Sequence, residues 1–220
     1  VPSPHRLPYR FADRPMSDLS QFRIGEPDGS PMVPLKILDI RYKGKIIAFD
    51  QSLSKTGYVV LSNLPKTYMD TEFKFEQTGM LNAKDDLKGH EKTLDRGMDL
   101  FWEIQDVCKA HRPDAVIFET PPAGGKMSRP ESSLLAALTI RLAAIIENPF
   151  VKLHMMSRQK AAKRWTGNGN ADKKVVRAAL EALMDYHHIE RLSGYWNEHV
   201  FDALSLGLLF MEGDRDASPG

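Results

Sequence analysis

Lys45-Ile46-Ile47-Ala48-Phe49-Asp50 is the stretch on which the fold turns. It is a short apolar run bounded by charge, the pattern of a buried strand. The run closes on a carboxylate, and an acid at the end of a buried strand is unusual. A polar turn follows, then a second apolar segment, Tyr58-Val59-Val60-Leu61. Further on, Ala115-Val116-Ile117-Phe118 repeats the arrangement and ends on Glu119, ahead of Thr120, Pro121 and Pro122. If these two acid-ended strands are parallel neighbours, both carboxylates emerge at the carboxyl edge of one sheet. Open α/β sheets place their ligands there.

A third strand is read in Glu72-Phe73-Lys74-Phe75-Glu76, which alternates as a half-buried strand does. A helix from about Gly89 to Ala110 follows, with Leu94, Met98, Phe101 and Cys108 on one face and Ile104 beside them. Beyond Glu119 and its loop, Ser132 to Glu147 carries Leu134, Leu135, Leu138, Ile140, Leu142, Ile145 and Ile146, which cover nearly every direction around a helix. Such a helix needs sheet on one side and a second cover on the other, for which a partner subunit is a candidate. Next come a strand near Val151 to Met155, a short basic helix to Trp165, a glycine turn, and a helix from Asp172 to about Tyr186. Three consecutive strands followed by strands alternating with helices predict an α/β fold, a mixed sheet with helices packed on its faces.

The last helix carries a third acid. At about 100° per residue, Val200, Leu204, Leu208 and Met211 form one apolar stripe, while Glu198, His199 and Asp202 project from the other side. Leu206, Leu209 and Phe210 continue that second side, so the helix is apolar on both flanks and its acids face a cleft. Like charges about 4 Å apart repel by roughly 4 kcal/mol at an effective dielectric constant near 20. A divalent cation removes that cost. Taken singly, each residue has a plainer reading: a turn-capping Asp50, a salt-bridged Glu119, a packed or surface His199.

The 220 residues suit one domain, with 42% hydrophobic and 27% charged residues and a single cysteine, Cys108, which excludes an internal disulfide and multi-cysteine zinc sites. No apolar run approaches membrane-spanning length and no apolar leader core stands at the start, so no membrane partner is expected and the cytoplasm is the expected location. Residues 1–34 hold seven of the fourteen prolines and read as an extended or disordered arm, 35–212 as the folded domain, and 213–220 as a frayed tail. The net charge of +1 hides a concentration: Arg158, Lys160, Lys163, Arg164, Lys173, Lys174 and Arg177 stand against Asp172 alone, about +6 in one stretch and −5 elsewhere. That segregation suits phosphates beside an acidic metal site, although a solvated helical face would look similar.

Within that stretch lies Thr166-Gly167-Asn168-Gly169-Asn170-Ala171-Asp172-Lys173-Lys174. Its glycines and asparagines permit positive φ, Asp172 can cap the next helix, and the amides there can attract an anion. This segment resembles the threonine-glycine-asparagine-glycine motif of RuvC-type Holliday junction resolvases, members of the RNase H-like (retroviral integrase) superfamily. Ile46 to Asp50 with Leu53-Ser54 and Thr56-Gly57 resembles that family's opening strand and turn. Ala115 to Glu119 resembles the strand of its second acid, and His199-Val200-Phe201-Asp202-Ala203-Leu204 its last helix.

The resemblance implies an RNase H-like five-stranded mixed sheet and an endonuclease that resolves four-way junctions by paired nicks, leaving 5′-phosphate and 3′-hydroxyl. It also implies two Mg²⁺ ions, with Mn²⁺ able to substitute, held by Asp50, Glu119, His199 and Asp202, with Glu198 as ligand or support. Branched DNA would be gripped through Lys126, Arg129 and the basic stretch, Lys173 falling on a family lysine that contacts phosphate. The near two-fold symmetry of a junction favours a homodimer, using the Leu134 to Ile146 helix. The host would be a bacterial cell, infected by phage or not.

Departures stand beside it. Gln51-Ser52 replaces the family's Pro-Gly, and the loop from Thr120 to Pro130 has no aromatic wedge, leaving Met127 as the apolar candidate. A relative of relaxed selectivity, cutting flaps, forks or other branched DNA, is therefore the alternative. An actin-like ATPase would need a second half and a glycine-rich turn, and a silent junction-binding protein would be expected to lack an acid.

Overall fold

In the computed structural model, residues 23–24, 33–34, 38–65, 71–82, 89–121, 130–186 and 196–213 are described. The fold is the expected α/β type, a mixed five-stranded sheet with helices on both faces. At its centre, β3 (Gly44–Asp50) pairs antiparallel with β4 (Lys55–Pro65), which pairs antiparallel with β5 (Thr71–Asn82) across a bulge at Val60 and Leu61. On the other side β6 (Ala115–Glu119) runs parallel to β3, and β7 (Lys152–Met156) parallel to β6. The order is β5-β4-β3-β6-β7, so the two acid-ended strands are indeed parallel neighbours. Upstream, β1 (Arg23–Ile24) and β2 (Val33–Pro34) form a separate two-residue ladder.

Period-two alternation divides the core into two layers. Ile47, Phe49, Val60, Val116 and Phe118 face α1 (Gly89–His111) and α2 (Pro130–Glu147), meeting Leu100, Ile104, Cys108, Ala136 and Ile140. Ile46, Ala48, Val59, Ala115 and Ile117 face α3 (Arg158–Thr166), α4 (Lys173–Tyr186) and α5 (Glu198–Glu212). The expected buried face of α1 needs correcting. Leu100, Ile104 and Cys108 point inward, whereas Leu94 and Met98 are more than half exposed, because the helix carries a second apolar stripe on its outer side. The outer side of α2 is apolar as well, with Leu134, Leu138, Leu142 and Ile146 exposed.

Burial fixes α5. Val200, Phe201, Leu204, Leu208 and Met211 are all nearly inaccessible, each worth roughly 1.5–3 kcal/mol on burial. Two long-range ties fasten it to α3. Trp165 donates its indole N–H to the Ser205 carbonyl at 3.2 Å, and Arg164 grips both Glu212 oxygens at 2.6 Å. Among the described residues no helix is long and apolar enough to cross a membrane.

Candidate active site

The alternation that builds the core also aims the acids. In β3, Ile46 and Ala48 point toward α5, so Asp50, two residues on, points there too. In β6 the same parity carries Ala115 and Ile117 to Glu119. The register pairs Phe49 with Phe118 and then stops, which leaves Asp50 and Glu119 side by side at the carboxyl edge. The third acid arrives on α5, whose start is set by Asn197: its side-chain oxygen accepts from the Val200 N–H at 3.0 Å.

Close approach of α5 to the sheet depends on Gly57, the register partner of Asp50 on β4. A Cβ at Gly57 would overlap the main chain of His199. With glycine there, His199 Nδ1 comes within 2.7 Å of Asp50 Oδ2. One turn along α5, Asp202 Oδ2 meets Lys173 Nζ at 2.5 Å. Asp50, Glu119, Asp202 and Arg158 line one small cavity of about 10 Å³, room for about one water-sized body. It adjoins a broad cleft of about 1010 Å³ with which it shares Glu119 and Arg158, and whose walls include Ser52, Ser54, Ser132, Ser133, Arg96 and Asn170.

The carboxylates strain against one another. Burial, then the charges of Asp50 and Asp202, push the Glu119 carboxyl up to about 7, and Arg158 and Lys173 offset only part of this. Burial and Asp50 likewise raise Asp202, against the hydrogen bond from Lys173. The hydrogen bond to Asp50 raises His199 above its ordinary value despite burial. Burial works against the Lys173 ammonium, but the bond and charge of Asp202 outweigh it.

Three carboxylates and an imidazole in charge deficit are a donor set suited to a hard divalent ion. The side chains are not arrayed as a ready cage, however. Among the described residues no three of His, Cys, Asp and Glu are grouped to hold one ion. Asp50 is turned to His199 and Asp202 to Lys173, so ion binding requires these pairs to part, a matter of side-chain rotation. The donor set fits the ion by its chemistry.

Other expected site residues divide. Arg158, at the first position of α3, is exposed and among the described residues has no hydrogen-bond or ion-pair partner. Lys160, Lys163 and Lys174 are exposed as well. Arg164 is engaged with Glu212, and Arg177 with Glu181 at 3.0 Å while its guanidinium lies 4.8 Å over the Phe201 ring. Glu198 is largely exposed, 4.0 Å from His199 Nε2. The glycine turn behaves as expected: Gly167 has a φ of 81° at the end of α3, and the Lys174 N–H donates to Asp172 Oδ1 at 2.8 Å. Lys126, Met127 and Arg129 lie outside the described residues. Sequence reasoning missed the parts of Gln51 and Gly57. The register opposite Asp50 would have found Gly57; Gln51 stood out only as a departure from the family's Pro-Gly, which gave no hint of its bonds to Glu119.

No protein-family model matches the chain, and no curated protein matches it in sequence. Among solved structures it is similar to Thermus thermophilus RuvC, with 15% identity and a TM-score of 0.55 over 74% of this chain and 91% of that one. T. thermophilus RuvC in complex with Holliday junction substrate gives 16% and 0.57 over 75% and 91%. The yeast mitochondrial Holliday junction resolvase gives 13% and 0.54 over 79% and 80%. The chain shares the fold of these resolvases.

Proposed function

We propose that the protein is a structure-selective DNA endonuclease that resolves four-way junctions by metal-dependent phosphodiester hydrolysis. The observation that carries this reading is the convergence of Asp50, Glu119 and Asp202 on one cavity beside a cleft large enough for a nucleic-acid strand. Asp50, Glu119, Asp202 and His199 would hold two Mg²⁺ ions, or Mn²⁺ in their place. When bound, such ions activate water and neutralise charge on the attacked phosphate. Arg158, with no hydrogen-bond or ion-pair partner among the described residues and placed at the junction of cavity and cleft, would grip a non-bridging oxygen of that phosphate. Lys173 would exchange Asp202 for a neighbouring phosphate. The products would be nicks with 5′-phosphate and 3′-hydroxyl ends.

Paired nicks across a junction call for two sites related by a two-fold axis. The exposed Leu134, Leu138, Leu142 and Ile146 of α2, with Leu94, Met98 and Trp102 on the outer side of α1, offer the apolar surface for a homodimer. The domain would act on branched DNA in the cytoplasm.

The test is Mg²⁺-dependent cleavage of a labelled synthetic four-way junction against flap DNA and matched linear duplex. The junction should be cut in preference, and Asp50→Asn should bind it without cutting. Undiminished cleavage by Asp50→Asn removes the proposed centre, and equal cutting of linear duplex removes the junction selectivity.

A further inference from the structure

The parallel ladder between β3 and β6 ends at Phe49 and Phe118, one residue short of the two acids. Main-chain bonding on the far side of β6 continues, with the Thr120 N–H donating to the Met156 carbonyl at 2.9 Å. On the near side the ladder has stopped at Phe49, and the main chain of Glu119 has no register partner in β3. Its N–H and C=O would be left unpaired at a partly buried position.

The side chain of Gln51 fills that gap. Its Oε1 accepts from the Glu119 N–H at 2.6 Å, and its Nε2 donates to the Glu119 C=O at 2.5 Å. A primary amide has the same donor and acceptor as a peptide group, so this pair acts as one more rung of the ladder, made by a side chain. Gln51 is only 8% exposed, and bonds shielded from water hold their geometry more firmly. Because Gln51 follows Asp50 directly, the rung ties the backbone that carries the first acid to the backbone that carries the second. A proline-glycine pair at this place has no side chain that could do so.

We propose that Gln51 is a positioning residue for the metal centre: its amide sets the separation of Asp50 and Glu119 and so sets the affinity for the divalent ion. This rests on the reading of the acids as metal ligands. Both polar atoms of the Gln51 amide are engaged by the Glu119 main chain, so it acts on the ion through the acids it links. Groups that orient a metal's ligands from behind typically change its affinity about 10- to 100-fold when removed.

The decisive measurement needs no turnover. Mn²⁺ is titrated into the free protein and the unbound ion followed by electron paramagnetic resonance, for the wild type, Gln51→Met and Asp50→Asn. Methionine matches glutamine in length but makes neither bond. Gln51→Met should weaken Mn²⁺ binding about 10- to 100-fold, while junction binding in EDTA stays at the wild-type level. With the junction as substrate, kcat at low Mg²⁺ should fall and recover as Mg²⁺ is raised, with KM unmoved. A Gln51→Met protein that binds Mn²⁺ as the wild type does overturns the proposal. If Asp50→Asn also binds Mn²⁺ normally, the acids are not the metal site and the underlying reading has failed instead. Should Gln51→Met not fold, Gln51→Asn is read in the same way, since it keeps the amide but is one methylene too short to reach both groups.

Discussion

The sheet has a partly buried cluster of charge at each end, and the two behave in opposite ways. Where β3 and β6 begin, Lys45 Nζ lies 2.7 Å from Glu76 Oε2, His111 Nδ1 lies 3.8 Å from the same oxygen, and His111 Nε2 meets Gln77 Oε1 at 2.7 Å. Burial raises the Glu76 carboxyl, but the bond and charge of Lys45 overcome it and leave Glu76 below its ordinary range. Where β3 and β6 end, burial again raises the carboxyl of Glu119, the charges of Asp50 and Asp202 add to it, Arg158 and Lys173 offset only part, and it rises to about 7. Burial raises both carboxyls; what differs is the sign of the charges that act most strongly on them, cationic at Glu76 and anionic at Glu119. Like charge gathered at the carboxyl end is what the proposed metal ions would compensate.

Glutamine at each position breaks or confirms this contrast, and the effect should be the largest of any. Glu119→Gln should abolish cleavage; Glu76→Gln should leave it intact. Stability in EDTA should move the other way. The Glu119 carboxyl titrates in the folded chain at about 7 against 4.5 for an ordinary glutamate. A group raised in this way favours folding below pH 4.5 and loses that contribution as the pH climbs to about 7. The metal-free melting temperature should therefore decline across that window, and Glu119→Gln should flatten the decline. Glu76, being lowered, contributes stability above 4.5 and loses it as the pH falls through its folded value. Replacing it should cost about 1 kcal/mol at neutral pH. Thermal scans in EDTA from pH 4 to 8 read both. A Glu119→Gln protein destabilised like Glu76→Gln would show that the carboxyl end carries no excess charge.

The same two ends show what a sequence can and cannot disclose. The acid-ended strands and the acidic helix were legible because each is local: an apolar run, a period, a terminal carboxylate. Strand extents were not. The second strand reads as Tyr58 to Leu61 but spans Lys55–Pro65, and β5 runs on through Gln77, Thr78 and Gly79 to Asn82, because backbone pairing continues where side-chain alternation has lapsed. The basic stretch was legible as composition, but the commitment of Arg164 to Glu212, 48 residues away, was not. Nor was the Gln51 rung, which joins residues 68 apart and depends on where a ladder happens to end.

Charge at the carboxyl end can be dissected further by comparing two cations of the same stretch. Arg158 borders the acids, whereas Lys174 stands exposed at the start of α4 with no side-chain partner among the described residues. Removing a cation that meets the reacting phosphate typically costs about 10²- to 10³-fold in rate. Arg158→Ala should lower junction cleavage on that order while weakening binding little. Lys174→Ala should do the reverse, and its effect should be the smallest: kcat unchanged, and the slope of log affinity against log salt reduced by about 0.9, as for one lost phosphate contact. Junction binding across a salt series, with single-turnover cleavage at saturating protein, separates the two. If the variants exchanged behaviour, with Lys174 governing rate and Arg158 only the salt slope, the reacting phosphate would have to lie over the start of α4 and not beside the three acids.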